Sequence, residues 1–181
     1  MAIIEIIHID NNIKGQISKV LSSTRIVSLT DLDYPKKYKK SIIYPTNDLL
    51  LYENQFFSLI NLLDGNAPLL LIQEGENDDF CDSKNQIIKM SPPFSFNDYM
   101  KIDGLYSMTM HFSYPCKWIL LIDESLEGGI GLLIGEKKKI EQFENAYGRT
   151  SEDRKKLEAF FDKDAERNKS ILEYKKLLLG E

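Results

Sequence analysis

Five carboxylates fall within nine residues in the segment 74–82: Glu74, Glu76, Asp78, Asp79 and Asp82. Carboxylates gathered this way can coordinate a divalent cation, present a negative face to a basic protein and so speed its association, or keep a loop solvated. The spacing lacks the regular alternation of a calcium loop. Asp82-Ser83-Lys84 fits the D-x-K end of a metal-dependent nuclease motif, over three residues only and with no proline-aspartate strand ahead of it. Separately, Asp78, Asp79 and Asp82 would be the residues of a small metal-dependent hydrolase with an unrecognised site. The other reactive side chains are isolated. His8 and His111 lie in expected strands without a metal-spaced companion, which points to structural or surface roles. Cys116 has a lysine beside it, Lys117, which would lower a thiol's pKa, but no base is near it, so a half-buried structural thiol is expected. Ser125 stands in no G-x-S-x-G elbow. Gly128-Gly129-Ile130-Gly131 precedes a strand and lacks the Lys-Ser/Thr pair of a phosphate cradle, so it reads as a hairpin turn. Lys36, Lys37, Lys39 and Lys40 surround Tyr38. They can form a nucleic-acid patch with a stacking platform or a solvated loop. No catalytic motif emerges. No cofactor is expected, and the residues alone leave the segment 74–82 open between a solvated loop, a protein-contact face made by Glu74, Glu76, Asp78, Asp79 and Asp82, and a metal site.

These side chains need a scaffold, and the segment 117–147 supplies its centre. Trp118 to Ile122 is the strongest apolar run, Ile130 to Ile134 is a second, and Gly135 closes it. From Lys137 the spacing turns helical, with Ile140, Phe143 and Tyr147 at i, i+3, i+7. Toward the N-terminus, Ile3 to Ile9 reads as a buried strand. Asp10-Asn11-Asn12 signals a helix start, and Ile13, Ile17, Val20 and Leu21 predict an amphipathic helix over 11–22. Arg25 to Leu29 reads as a second strand, giving a β-α-β opening. Residues 31–40 read as a loop broken by Pro35, and Ile42-Ile43-Tyr44 as a brief strand. Leu49, Tyr52, Phe56, Leu59, Ile60 and Leu63 predict a largely buried helix over 49–63, stopped by Gly65; residues 49–52 can alternatively form a strand. Leu69 to Ile72 and Ile87 to Met90 read as strands. Phe94, Phe96, Tyr99 and Met100 form an aromatic cluster about a helical turn at Asn97-Asp98. Tyr106 to Phe112 alternates with period two, the mark of a half-buried strand. Short connections between consecutive strands favour antiparallel pairing. A long C-terminal helix over 151–179 carries apolar patches at both ends, for packing on the sheet or for an oligomer contact.

The bulk numbers set bounds. A chain of 181 residues fits one domain and buries about 70% of its unfolded surface. The fold class expected is α+β: one domain over 1–181, with a mostly antiparallel central sheet, packed helices and the long C-terminal helix. A net charge of −5 disfavours direct nucleic-acid binding, which needs a basic surface, and favours basic partners. Two cysteines, Cys81 and Cys116, are too few for a disulfide framework and fit a reducing cytoplasm. The N-terminal residues lack a basic n-region. The longest apolar runs are about five residues, far below the ~20 of a spanning helix, so no membrane role is expected.

Trp118 with its apolar strand, an acidic turn, Gly128-Gly129, a strand ending at Gly135, then Ile140 and Phe143 on a helix with Tyr147 near its end: this order resembles the C-terminal pattern of small bacterial immunity proteins. These are the cognate inhibitors of contact-dependent growth inhibition and other polymorphic toxin systems. The likeness covers about thirty residues. It departs from the pattern at Lys137-Lys138-Lys139, where the family usually repeats glycine. Leu62-Leu63-Asp64-Gly65 approximates the helix end of a related immunity group. The resemblance implies a stoichiometric, non-catalytic inhibitor of a cognate toxin, often a basic nuclease, held over ~800 Å² per side with the acidic segment at the contact. The competing expectation is a self-associating regulatory or scaffold module that uses the C-terminal helix.

Overall fold

In the computed structural model, the residues described are 2–29, 32–43, 51–63, 66–73, 78–102, 108–123 and 130–147, with 155, 158, 159, 162 and 176 as single helical positions. Seven strands form one sheet: β1 (Ile3–His8), β2 (Tyr38–Ile43), β3 (Leu69–Gln73), β4 (Gln86–Ser91), β5 (Met108–Ser113), β6 (Trp118–Asp123) and β7 (Ile130–Glu136). Their order is β1-β4-β3-β5-β6-β7-β2. Every neighbouring pair is antiparallel. Among the described residues the named helices are α1 (Asn11–Val20), α2 (Glu53–Leu62), α3 (Phe96–Tyr99) and α4 (Lys137–Tyr147). This is the expected α+β fold. The predicted helix over 151–179 lies almost wholly outside the described residues. None of the helices among the described residues is long and apolar enough to cross a membrane.

Alternating residues of the central strands feed two separate cores. Met108, Met110, Phe112, Ile119 and Leu121 pack with Ile13, Ile17 and Val20 of α1. Trp118, Leu120 and Ile122 pack with Phe56, Leu59 and Leu62 of α2 and with Ile140 and Phe143 of α4. The sheet is therefore covered on both faces, and its inner strands carry near-continuous apolar sequence. That corrects the half-buried reading of the strand at 106–112: β5 is buried along its whole length.

Three other expectations change. Ile3 to Ile9 is not a buried strand. β1 is an edge strand and most of its side chains are exposed. Arg25 to Leu29 is not a strand; its one ladder contact is an isolated bridge from Arg25 to Asp79, and Val27 is exposed. The lysine-rich loop is shorter than expected, because Lys39 and Lys40 belong to β2. Lys39 pairs with Glu144 of α4 at 2.9 Å, and Lys37 lies over the Tyr38 ring. The segment is thus built into the sheet edge.

Local chemistry fixes the element ends. Asp10 caps α1, its Oδ1 accepting from the Ile13 amide at 2.7 Å. Ser95 and Asp98 form a reciprocal capping box at α3. Gly135 stands opposite Trp118 in the ladder. A Cβ at 135 would sit 2.7 Å from the Trp118 Cβ and 2.9 Å from the Lys117 carbonyl oxygen. Glycine therefore ends the second apolar run because no side chain fits where β6 and β7 approach.

Candidate functional site

Ahead of β4, residues 78–85 form a hydrogen-bonded turn region. Glu74 and Glu76 lie outside the described residues; Asp78, Asp79 and Asp82 are described. Asp78 adopts φ 55°, a left-handed conformation that aspartate tolerates better than most residues. Its carbonyl accepts from the Ile26 amide at 2.8 Å, and the Phe80 amide donates to the Thr24 carbonyl at 3.0 Å. Residues 24–26 and 78–80 thus zip together, which buries Phe80 completely.

Asp79 is the pin of this junction. Its Oδ1 accepts from the Thr24 hydroxyl at 2.7 Å and from the Cys81 amide at 2.9 Å. Its carbonyl accepts from the Asn85 side chain at 2.8 Å. Asp82 turns the chain onward, with Oδ1 accepting from the Lys84 amide at 2.9 Å. These bonds hold the carboxylates in fixed places on the surface.

The N-terminus of α1 faces the same spot. A cleft of about 310 Å³ is lined by Ile9, Asp10, Asn11, Lys14, Asp79, Cys81, Asp82 and Ser83. Asp10 therefore joins Asp79 and Asp82, although it is some seventy residues away in sequence. Sequence reasoning missed it because Asp10 reads as a helix cap, and it is one; nothing local signals that the cap also borders the acidic segment. Among the described residues, no group of three or more His, Cys, Asp or Glu is placed to hold a metal ion.

The other reactive groups are built into the cores. Burial, reinforced by the neighbouring Asp79 charge, pushes the Cys81 thiol up to about 11, against a smaller opposing pull from Lys14 and Thr24. Burial likewise pushes Cys116 up to about 12. Neither is an activated thiol, and Lys117 does not make Cys116 one. His111 is fully buried and held down to about 4 by that burial, so it is neutral. Its Nε2 lies 3.2 Å from the Tyr99 hydroxyl. Thr109 Oγ1, His111 Nδ1 and Trp118 Nε1 are buried without a well-formed hydrogen bond among the described residues. His8 lies at the exposed end of β1, opposite Gln86.

A second recess, of about 270 Å³, lies between the end of α2 and the Tyr114-Pro115 turn, lined by Leu63, Pro68, Ser113 and Lys117 among others. It brings together no acid, base and nucleophile. Of the two recesses, the acidic cleft is the one lined mainly by charged and polar side chains. Set against family models, curated proteins and solved structures, the chain matches none of them.

Proposed function

We propose that this protein is a non-catalytic binding protein of the immunity class, which neutralises a cognate toxin domain by covering its active site. The observation that supports this reading is the acidic cleft, where Asp10, Asp79 and Asp82 meet from separate parts of the chain on a rigid frame. A negative surface held in place suits a basic partner such as a nuclease domain: charge speeds the encounter, and apolar burial then slows dissociation. The chain's net charge of −5 favours the same class of partner. The neutral His111 and the high thiol pKa values fit a protein whose reactive groups serve its core. A cytoplasmic location belongs to the same proposal, because an inhibitor of this class must meet a toxin that acts inside the cell.

The experiment is co-expression with the product of the gene immediately upstream, followed by size-exclusion chromatography with mass determination and a growth assay. The expected result is a salt-sensitive one-to-one complex and rescue of growth from that product. The triple variant Asp10→Asn, Asp79→Asn, Asp82→Asn removes three charges but keeps each side-chain acceptor. Its association should be slower and less salt-dependent, with the melting temperature lowered only slightly because each acceptor is kept. Absence of both complex and rescue would overturn the proposal. A complex whose kinetics ignore the triple variant would move the interface elsewhere.

A further inference from the structure

The two edges of the sheet are guarded differently. β2 at one edge carries Lys39 and Lys40, follows Pro35, and is tied to α4 by the Lys39–Glu144 ion pair at 2.9 Å. Lysines, prolines and helix cover are the usual means of keeping an edge from pairing. β1 at the other edge reads Ile3-Ile4-Glu5-Ile6-Ile7-His8, with no lysine, proline or glycine. Its six-residue register with β4 is unbroken, so no bulge twists it away. Ile3, Ile4 and Ile6 are 63%, 42% and 66% exposed. The one carboxylate of the strand, Glu5, is paired with Lys89 at 2.9 Å. Among the described residues, β4 is the only strand that pairs with β1, so one side of its main chain offers N–H and C=O groups outward.

We propose that β1 is a pairing edge for a second copy of this chain, joined antiparallel about a two-fold axis so that two sheets become one. A helix cannot fill this role, because its own amides and carbonyls are already bonded internally; the outward row needs a strand. The strand's own sequence then selects its mate. In an antiparallel pair, opposite residues share a face, and a two-fold axis normal to the sheet preserves that face. The axis must therefore pass through a residue position. Centred on Glu5, it would set two carboxylates directly opposite one another, which is destabilising. Centred on Ile6, it sets Ile6 against Ile6, Ile4 against His8 and Glu5 against Ile7, with no like charges opposed. The most exposed isoleucine becomes the middle of the interface. Ile4, Ile6 and the half-buried Ile88 beside Ile6 form one apolar stripe with their counterparts. Five paired positions, 4 to 8, make a small interface, at the weak and concentration-dependent end of the range. This pairing goes beyond the inhibitor reading and does not depend on it.

Sedimentation equilibrium of the full chain, from micromolar to near-millimolar concentration, tests the proposal. The mass should rise from one chain to two. Ile6→Lys places two like charges at the axis and should hold the mass at one chain, with the melting temperature unchanged because the side chain is exposed. Under mild oxidation Ile6→Cys should give a reducible dimer on a gel, while Glu5→Cys should not. A one-chain mass at every concentration would overturn the proposal, as would a dimer that survives Ile6→Lys. A dimer lost only on truncation at Thr150 would assign the contact to the C-terminal segment instead. Equal cross-linking by Glu5→Cys and Ile6→Cys would overturn the Ile6-centred register.

Discussion

The Tyr99 hydroxyl lies 3.2 Å from His111 Nε2 in a region closed to solvent. The Leu51 amide donates to the same hydroxyl at 3.5 Å. The hydroxyl can give its own proton to the histidine in the neutral tautomer that carries hydrogen on Nδ1. Burial raises the Tyr99 phenol and lowers His111 to about 4, both away from ionisation near neutral pH. A polar pair thus sits inside the core between α3 and β5 with no charge to solvate.

That arrangement makes stability depend on pH in a defined direction. The folded His111 pKa of about 4 lies below its unfolded value near 6.5. Between these limits the unfolded chain binds a proton that the folded chain refuses, so stability falls as pH drops from about 6.5 to 4 and the contribution is constant below that. From pH 7 to pH 5 this group alone should remove about 2 kcal/mol of unfolding free energy. Urea titrations of the wild type and of His111→Phe at both pH values check it: the variant should lack that share of the slope. Equal slopes would mean that the folded ring protonates near its ordinary pKa.

Removing the other partner should lower stability at neutral pH. Tyr99→Phe keeps the ring, which packs against Phe56 at a centroid distance of 5.1 Å. It strips the partner from His111 Nε2 and from the Leu51 amide. Leaving buried polar groups unsatisfied costs about 1–3 kcal/mol, read as a lower urea midpoint at unchanged m-value.

Gly135 should be intolerant of even a methyl group. The strand ladder puts it opposite Trp118, and a Cβ would meet the Trp118 Cβ and the Lys117 carbonyl well inside contact distance. Backbone and Cβ atoms cannot swing aside as a flexible side chain would. Gly135→Ala should cost about 1–3 kcal/mol by overpacking, whereas Gly15→Ala in α1, where a Cβ meets nothing within 4 Å, should stabilise by up to about 1 kcal/mol. Thermal melts of the two variants should therefore shift in opposite directions.

The same contact shows how far the sequence could be read. The apolar runs at Trp118 and Ile130, the closing Gly135 and the helical spacing of Ile140 and Phe143 all fell on real elements, because central strands and amphipathic helices imprint their burial on local sequence. The edges were not legible that way. Isoleucines in β1 satisfy strand propensity whether buried or exposed, so Ile3 to Ile9 read as core although it lies at the rim. Lys39 and Lys40 suggested a loop because their strand is an edge, where charge is permitted. For the candidate site, the acidic segment was visible as composition, but the meeting of Asp10 with Asp79 and Asp82 is long-range and leaves no mark on either stretch.

Asp79 separates structural from electrostatic roles within that cleft. One of its oxygens takes hydrogen bonds from Thr24 and from the Cys81 amide, and its carbonyl holds Asn85. Asp79→Ala should therefore destabilise the fold by about 1–3 kcal/mol, since a buried amide and a hydroxyl lose their acceptor. Asp79→Asn retains an acceptor oxygen and should cost less. Any loss of partner binding in Asp79→Ala would then confound unfolding with charge. The asparagine variant isolates the charge. Hydrogen exchange at the Cys81 and Phe80 amides reads the difference directly, with faster exchange in Asp79→Ala than in Asp79→Asn. Identical exchange in the two would show that the carboxylate does not pin this junction.

The two thiols should be nearly inert in the folded protein. Cys81 is buried next to Asp79, and Cys116 is half-buried against the same core, with its amide held by Gln16 at 2.8 Å. With pKa values of about 11 and about 12, less than about one part in a hundred of either is thiolate at pH 8, and only the thiolate attacks. Native labelling by a disulfide reagent at pH 8 should accordingly be slow and incomplete, and both thiols should react at once in denaturant. The rates should differ in what limits them. Cys81 borders the cleft, so its labelling should follow thiolate population and rise about tenfold per pH unit. A pH-independent rate at Cys81 would instead mean that local opening limits access, and that the junction pinned by Asp79 is less stable than its hydrogen bonds imply.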